Sequence, residues 1–137
     1  MGDLDDIVAA FARSPWGRLG AESATAENRC KCVSLALLAV LRRHEVHARL
    51  WNMSDLRAPD WGNLYREHYV VEVCGEVLDF TARQFWPESP HPLREPLKTA
   101  KARWGCVRPV DFENPWDLKY IYHIRSDWMT LPDTPPC

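Results

Sequence analysis

The sequence lacks an apolar run long enough to cross a membrane. Its longest such run extends from Cys32 to Leu41 and is interrupted only by Ser34, whereas a membrane-spanning helix needs about 20 apolar residues. The opening segment MGDLDDIVAAFAR is acidic and also lacks the basic start of a secretory signal peptide. We therefore expect no membrane association, and a protein that is either cytoplasmic or secreted without a classical signal peptide.

The sequence also lacks an excess of positive charge and an even number of cysteines. Lys and Arg number 17 against 19 Asp and Glu, which gives a net charge of −2. Because no basic stripe is present either, nucleic acid is not an expected partner. Five cysteines cannot all pair within one chain. We expect them to be reduced thiols, as in a cytosol-like compartment.

Internal repeats and low-complexity linkers are missing as well. A length of 137 residues with 46% hydrophobic and 26% charged residues is typical of a single globular domain. We place this domain at residues 1–128. The Pro-rich segment 129–137 is predicted to be a disordered tail.

The hydrophobic pattern predicts two helices followed by several strands. The first helix begins near Asp3, and the second, at residues 28–43, is apolar on nearly all sides and is therefore predicted to be buried. The predicted strands are 46–53, 64–73, 76–80, 104–110 and 118–125, and a proline-rich surface loop is predicted at 87–96. This order predicts an α+β fold in which a central helix packs on an antiparallel sheet.

Two cysteines, Cys30 and Cys32, lie in the first turn of the predicted central helix. Unpaired backbone N–H groups at a helix N-terminus favour the thiolate form of a nearby thiol. The two side chains are about 200° apart around the helix, so we expect one to face the core. Helix geometry leaves both Cys30 and Cys32 open as the nucleophile. A zinc site with His44 and His47 is not expected, because about 14 residues of helix hold the two pairs roughly 20 Å apart.

A predicted hairpin carries a histidine and a carboxylate that could serve such a nucleophile. With a two-residue Cys74-Gly75 turn, Val70 is predicted to face Asp79. His68 shares a sheet face with Val70, because side chains alternate along a strand. His68 and Asp79 then become diagonal neighbours within hydrogen-bonding reach. A thiolate, a histidine and a group that orients the histidine are the three parts that cysteine acyl-transfer chemistry requires.

The same residues carry a resemblance to a known superfamily. Cys30, Ser34, the helix end at 39–42 and the strand start at 46–49 follow one another with the spacing of the transglutaminase-like core. The segment HYVVEVCGEVLDFTARQF resembles the His-strand-turn-strand-Asp segment of transglutaminase-like and papain-fold proteins. Its D-x-T-x-x-Q ending is similar to bacterial papain-fold toxins that deamidate glutamine. The resemblance covers residues 28–86. The sequence departs from the family pattern at Asn28, where the family has glycine, and at Val70, where it often has tryptophan. It also has Glu45, Val46 and His47 where the family has Gly-Ile-Pro.

The resemblance implies a papain-like or transglutaminase-like core in which Cys30 is the nucleophile, His68 the general base and acid, and Asp79 the residue that orients the imidazole. The further residues with an implied role in oxyanion or substrate binding are Gln84, Trp51 and Trp61. Neither a cofactor nor a metal ion is expected. The leading hypothesis is a deamidase that acts on a glutamine side chain of a protein substrate, in keeping with a bacterial effector. The alternatives are a transglutaminase or cysteine peptidase with the same triad, and a non-catalytic protein-binding module of the same fold.

Overall fold

The computed structural model of the chain describes residues 3–57 and 64–113. These ranges do not include Trp61, the predicted strand at 118–125 or the predicted tail at 129–137. Within the described ranges, no helix combines the length and the apolar character that crossing a membrane requires.

The described residues form an α+β fold with a five-stranded antiparallel sheet, as the sequence predicts at this level. The helices are α1 (Asp3–Arg13), α2 (Pro15–Arg18), α3 (Ser23–Ala26), α4 (Cys30–Arg43) and α5 (Leu97–Lys101), with one 3-10 turn at Ala82–Gln84. The strands are β1 (Arg49–Leu56), β2 (Leu64–Val73), β3 (Glu76–Asp79), β4 (Leu93–Pro96) and β5 (Trp104–Pro109). The strand order is β4-β3-β2-β1-β5, and every neighbouring pair is antiparallel.

Helix α4 is the centre of the larger hydrophobic core. Leu35, Leu38 and Leu41 are at most 1% exposed, and they belong to one cluster with Tyr69 and Val71 of β2. Full burial of a leucine side chain contributes about 2 kcal/mol, so the apolar sequence of α4 is what holds the helix against the sheet. The predicted burial of this helix is confirmed.

The opposite face of the sheet has a second, aromatic cluster. Its buried members are Trp51, Met53, Val70, Val77, Ala100 and Trp104, and Phe85 and Trp86 pack against it. Val70 and Val77 alternate along their strands with Val71 and Leu78, which belong to the first cluster. His68 precedes Val70 by two residues and therefore shares its face. The sheet thus carries the helical core on one face and the aromatic cluster on the other.

The hairpin between β2 and β3 has the predicted register. Cys74 and Gly75 have φ values of 50° and 84°, and positive φ at both central residues is the signature of a type I′ turn. Val73 pairs with Glu76, and Val71 with Leu78. This two-residue turn fixes which side chains of β2 and β3 share a face.

The largest differences from the predicted elements are at β1, which ends at Leu56 rather than at 53, and in the segment 87–96. Strand β1 begins at Arg49 rather than at 46, because the N–H of Val46 still donates to the carbonyl of Leu41 and closes the end of α4. The predicted surface loop at 87–96 contains β4, whose Arg94 pairs with Leu78. Proline does not prevent this strand, since β4 is at the edge of the sheet and Pro96 is its last residue.

Glycine at position 45 is expected to stabilise the protein. Glu45 follows the C-cap His44 and has a φ of 60°, the left-handed conformation in which glycine avoids the steric cost of a Cβ atom. We expect Glu45→Gly to raise the free energy of unfolding by about 0.5–1 kcal/mol, measured by urea denaturation. Glu45→Ala, which keeps the Cβ atom, is the matched control and should bring no comparable gain. A loss of stability in Glu45→Gly would contradict this account of the helix end.

Candidate active site

A buried hydrogen bond joins His68 to Asp79. The distance from His68 Nε2 to Asp79 Oδ2 is 2.7 Å, and the two residues are 1% and 4% exposed. The other carboxylate oxygen, Oδ1, accepts the backbone N–H of Thr81 at 3.0 Å. The predicted proximity of His68 and Asp79 is confirmed, and the carboxylate holds Nε2 of the imidazole in a fixed direction.

Cys30 is a free thiol at the first residue of α4. The N-cap residue Arg29 makes no side-chain capping hydrogen bond, and the first turn contains no acidic residue. No side chain of the helix's own first turn therefore neutralises the partial positive charge of its N-terminus. Cys30 is only 8% exposed, because it packs as a member of the helical core.

The Cys30 thiol lies near enough to His68 to affect the protonation of the imidazole. Burial, the largest single effect, lowers the pKa of His68, but the charge and hydrogen bond of Asp79 and those of Cys30 raise it, and the outcome is a pKa of about 10. His68 is therefore an imidazolium at neutral pH. Asp79 occupies Nε2, which leaves Nδ1 available to the thiol and to the side-chain amide of Gln84, 3.3 Å away. This arrangement can hold a thiolate and an imidazolium side by side.

A hydrogen bond between α4 and β2 contributes to the position of the cysteine. Ser34, one turn beyond Cys30, donates from Oγ to the backbone carbonyl of Tyr69 at 2.8 Å. Tyr69 follows His68 in β2, so this bond ties the N-terminal part of α4 to the strand that carries the histidine. The pKa of Tyr69 is raised to about 12, first by burial and then by the charges of Glu67 and Cys30. The Tyr69 phenol therefore stays neutral beside the thiol.

Gln84 lies at the same imidazole nitrogen that faces the thiol. Its Nε2 is 3.3 Å from His68 Nδ1 and 3.4 Å from Thr81 Oγ1. The oxygen and nitrogen of a side-chain amide have nearly the same shape, so their assignment follows from the partners. Opposite a protonated Nδ1, the amide oxygen of Gln84 is the favoured partner, and the N–H groups are then free to turn towards a substrate.

Two aromatic residues that the sequence did not connect with the site enclose the imidazole. The Trp104 ring is stacked on His68, with centroids 5.6 Å apart and an interplanar angle of 17°. Phe85 meets the imidazole edge to face, at 5.0 Å and 90°. Trp104 belongs to β5 and pairs with Leu56 of β1, so only the sheet order brings it to His68. Phe85 directly follows Gln84 in the sequence, and this adjacency was the one sequence feature that could have connected Phe85 with the site.

Trp51 of β1 does not lie directly opposite the histidine in the register of the sheet. It pairs with Val70, whereas Met53 pairs with His68. Its indole N–H donates to Glu72 Oε1 at 2.7 Å, and Lys101 Nζ lies 4.5 Å from the centre of its ring. The ring is 7% exposed, so it is held inside the second cluster by contacts of its own.

The remaining cysteines of the described part of the chain differ in state. Cys32 is disulfide-bonded, so the expectation of reduced thiols throughout is wrong for this residue, and as a disulfide it has no thiolate to offer. Cys74 and Cys106 are free and exposed. Cys30 is thus the only free, buried thiol among residues 3–57 and 64–113.

Asn28 and Glu45, two positions at which the sequence departs from the transglutaminase-like pattern, have an unusual backbone conformation. Both residues have a left-handed conformation, with φ values of 62° and 60°, and both stand where the transglutaminase-like family has glycine. Comparison of the chain with protein-family models, with curated proteins and with solved structures finds no match.

Proposed function

We propose that this protein is a cysteine amidohydrolase with a papain-like or transglutaminase-like catalytic core, and that it deamidates a glutamine side chain of a protein substrate. The observation that carries the proposal is the buried chain of contacts from Cys30 to His68 to Asp79. Acyl-transfer enzymes with a cysteine nucleophile need these three groups in this order.

In the first half of the proposed reaction, the Cys30 thiolate attacks the carboxamide carbon of the substrate glutamine. The carbonyl π electrons move to oxygen, and the resulting oxyanion is stabilised by the backbone N–H of Cys30 at the helix N-terminus. An N–H of Gln84 is the second donor we assign to this oxyanion. The tetrahedral intermediate collapses, the carbon–nitrogen bond breaks, and His68 donates the Nδ1 proton to the departing amine. Ammonia and a thioester with Cys30 are the products.

In the second half, water attacks the thioester carbon and neutral His68 accepts its proton at Nδ1. The new tetrahedral intermediate releases the Cys30 thiolate and leaves a glutamate carboxyl group. Asp79 keeps Nε2 protonated and oriented in both steps and stabilises the imidazolium whenever it forms. The net reaction consumes one water and the carboxamide, and it yields a carboxylic acid and ammonia.

Two features of the backbone support the superfamily assignment. Asn28 precedes the nucleophile by two residues, and Glu45 follows the helix that carries it; both have the positive φ that glycine adopts without strain. At these two positions the residue differs from the family's glycine, but the backbone has the conformation that a glycine adopts easily. The departures at Asn28 and Glu45 therefore do not weigh against a core of this type.

The position of Trp51 favours hydrolysis over transfer to an amine. Transfer needs a walled slot that holds the amine and excludes water from the thioester. Trp51 is bonded to Glu72 and lies under Lys101, so its ring is engaged away from the thiol instead of forming such a wall. Water is then the expected acceptor.

The reaction type can be tested by mass spectrometry of a glutamine-containing protein substrate, incubated with the enzyme in the presence and absence of putrescine. We expect a mass gain of about one dalton at glutamine, the shift that accompanies hydrolysis of an amide to an acid, and we expect it to persist when the amine is present. Predominant incorporation of putrescine would instead identify a transglutaminase, and cleavage of the main chain a peptidase. Binding of a protein without any covalent change would favour the non-catalytic module.

A further inference from the structure

An exposed arginine lies beside the proposed catalytic histidine. Arg66 precedes His68 by two residues in β2, so the two side chains leave the same face of the sheet. The Arg66 guanidinium is 5.9 Å from the centre of the Phe85 ring, and that ring is in edge contact with His68. Arg66 thus stands at the rim of the site, one aromatic ring away from the imidazole.

Other charged groups around the site are already paired. Asp79 is bonded to His68, and Arg103, which stacks on Trp86, pairs with Glu95. Arg83 donates to the carbonyls of Ala21 and Ser89. By contrast, no carboxylate within residues 3–57 and 64–113 pairs with Arg66. Among these residues, its positive charge has no ion-pair partner on the face of β2 that carries His68.

A second arginine flanks the nucleophile itself. Arg29 directly precedes Cys30, and its Nε is buried without a hydrogen-bond partner in the described part of the chain. The acidic residues that lie nearest along the sequence do not neutralise the positive charges of Arg66 and Arg29. Glu67 belongs to the opposite face of β2, since its charge acts on Tyr69 there, and Glu27 is exposed ahead of α4. Cys30 and His68 are therefore each close in sequence to an arginine for which the described part of the chain offers no carboxylate partner.

We propose that Arg66, assisted by Arg29, selects glutamine residues whose neighbours in the substrate are acidic. The inference rests on the proposed function, because it assigns the substrate class of that same site. A carboxylate beside the target glutamine pairs with the Arg66 guanidinium as the glutamine side chain enters towards Cys30. Complementary charge of this kind accelerates association and disfavours substrates of the opposite charge.

The test uses three synthetic peptides of equal length with one central glutamine, flanked on both sides by glutamate, serine or lysine. For the wild-type protein, we expect the glutamate peptide to have the highest kcat/KM for deamidation. Arg66→Gln should raise KM for this peptide about threefold without a comparable change in kcat, as expected for the loss of one exposed ion pair. Arg66→Glu should reverse the order of the glutamate and lysine peptides, because it adds repulsion to the loss of attraction.

Arg49→Gln is the matched control. Arg49 is likewise exposed and likewise lies over an aromatic ring, that of Trp51, at 5.3 Å. In the register of the sheet, Arg49 lies opposite Glu72, which is four residues beyond His68 in β2. Arg49 is therefore about 13 Å further along the sheet than the histidine. We expect Arg49→Gln to leave the peptide preference unchanged.

The outcomes separate this inference from the proposed function. If the wild type deamidates all three peptides equally well, the charge selection is wrong while the deamidase assignment stands. If it deamidates none of them, the reaction assignment fails for these substrates. Binding of the three peptides to the Cys30→Ala variant, measured by calorimetry, then decides the charge selection alone. Equal affinity for the glutamate and lysine peptides would overturn it, and tighter binding of the glutamate peptide that disappears in Cys30→Ala/Arg66→Gln would support it.

Discussion

Replacement of Cys30 by alanine is expected to reduce glutamine deamidation by about 10⁴-fold or more while the protein stays folded. Loss of the nucleophile leaves only the contribution of the oxyanion donors and of substrate binding. The change removes one sulfur atom from a site that is 8% exposed, so we expect it to lower the free energy of unfolding by only about 1 kcal/mol. The measurements are the mass-spectrometric assay described above and urea denaturation of the same preparation.

The other cysteines supply the controls for this experiment. Cys74→Ala and Cys106→Ala remove exposed free thiols and should retain full turnover. Cys32→Ala should lower stability more than activity, because Cys32 is buried and disulfide-bonded. If Cys32→Ala alone abolished the turnover of a well-folded protein, Cys32 would have to be a free thiol in the active protein, and the nucleophile would have to be reassigned to it.

The reactivity of the thiols provides an independent readout. Iodoacetamide reacts with the thiolate, so a thiolate that is stabilised by an imidazolium reacts at a mildly acidic pH at which ordinary cysteines are protonated. In native protein at such a pH, we expect label on Cys30 before Cys74 and Cys106, although the latter two are more exposed. Preferential labelling of the two exposed cysteines would contradict a thiolate at Cys30.

Replacement of Asp79 by asparagine is expected to damage both catalysis and stability. The substitution leaves the imidazolium of His68 buried without a counter-ion on the Nε2 side, and removal of one partner from a buried ion pair costs about 3 kcal/mol or more. It also removes the acceptor that keeps Nε2 protonated, so we expect kcat to fall by about 10³- to 10⁴-fold. Asp6→Asn, in an exposed position of α1, is the matched control and should change stability by only a few tenths of a kcal/mol.

The pH dependence of unfolding distinguishes this electrostatic role from a simple loss of packing. The pKa of His68 is raised in the folded state from 6.5 to about 10, against burial and through Asp79 and Cys30. The folded protein therefore binds the proton more tightly than the unfolded chain does, and the resulting stability is fully present below pH 6.5 and is lost as the pH rises to about 10. We expect the wild type to lose stability across this window and Asp79→Asn to lose much less. Parallel curves for the two proteins would refute the assigned role of the pair.

Several parts of the fold and the site followed from local sequence alone. The apolar stretch after Cys30 predicted α4 and its burial, because a helix without a polar face has to be covered on most sides. The Cys74-Gly75 pair predicted a two-residue turn, and the turn length fixed the register of β2 and β3. The 2.7 Å contact of His68 with Asp79 then follows from the alternation of side chains along a strand. These features depend on residues that are close along the chain.

What surrounds the histidine was decided by the tertiary structure. Trp104 is 36 residues beyond His68 in the sequence and stacks on it only because β5 pairs with β1, on the far side of β2 from β3. The burial of Cys30 and the position of Arg66 over the Phe85 ring likewise depend on neighbours that the hydrophobic pattern does not identify. The order of strands across the sheet is set by the balance of many side-chain contacts over the whole core, and no local pattern records that balance. The sequence alone therefore determined the paired groups within one hairpin, whereas long-range packing determined which side chains enclose those groups.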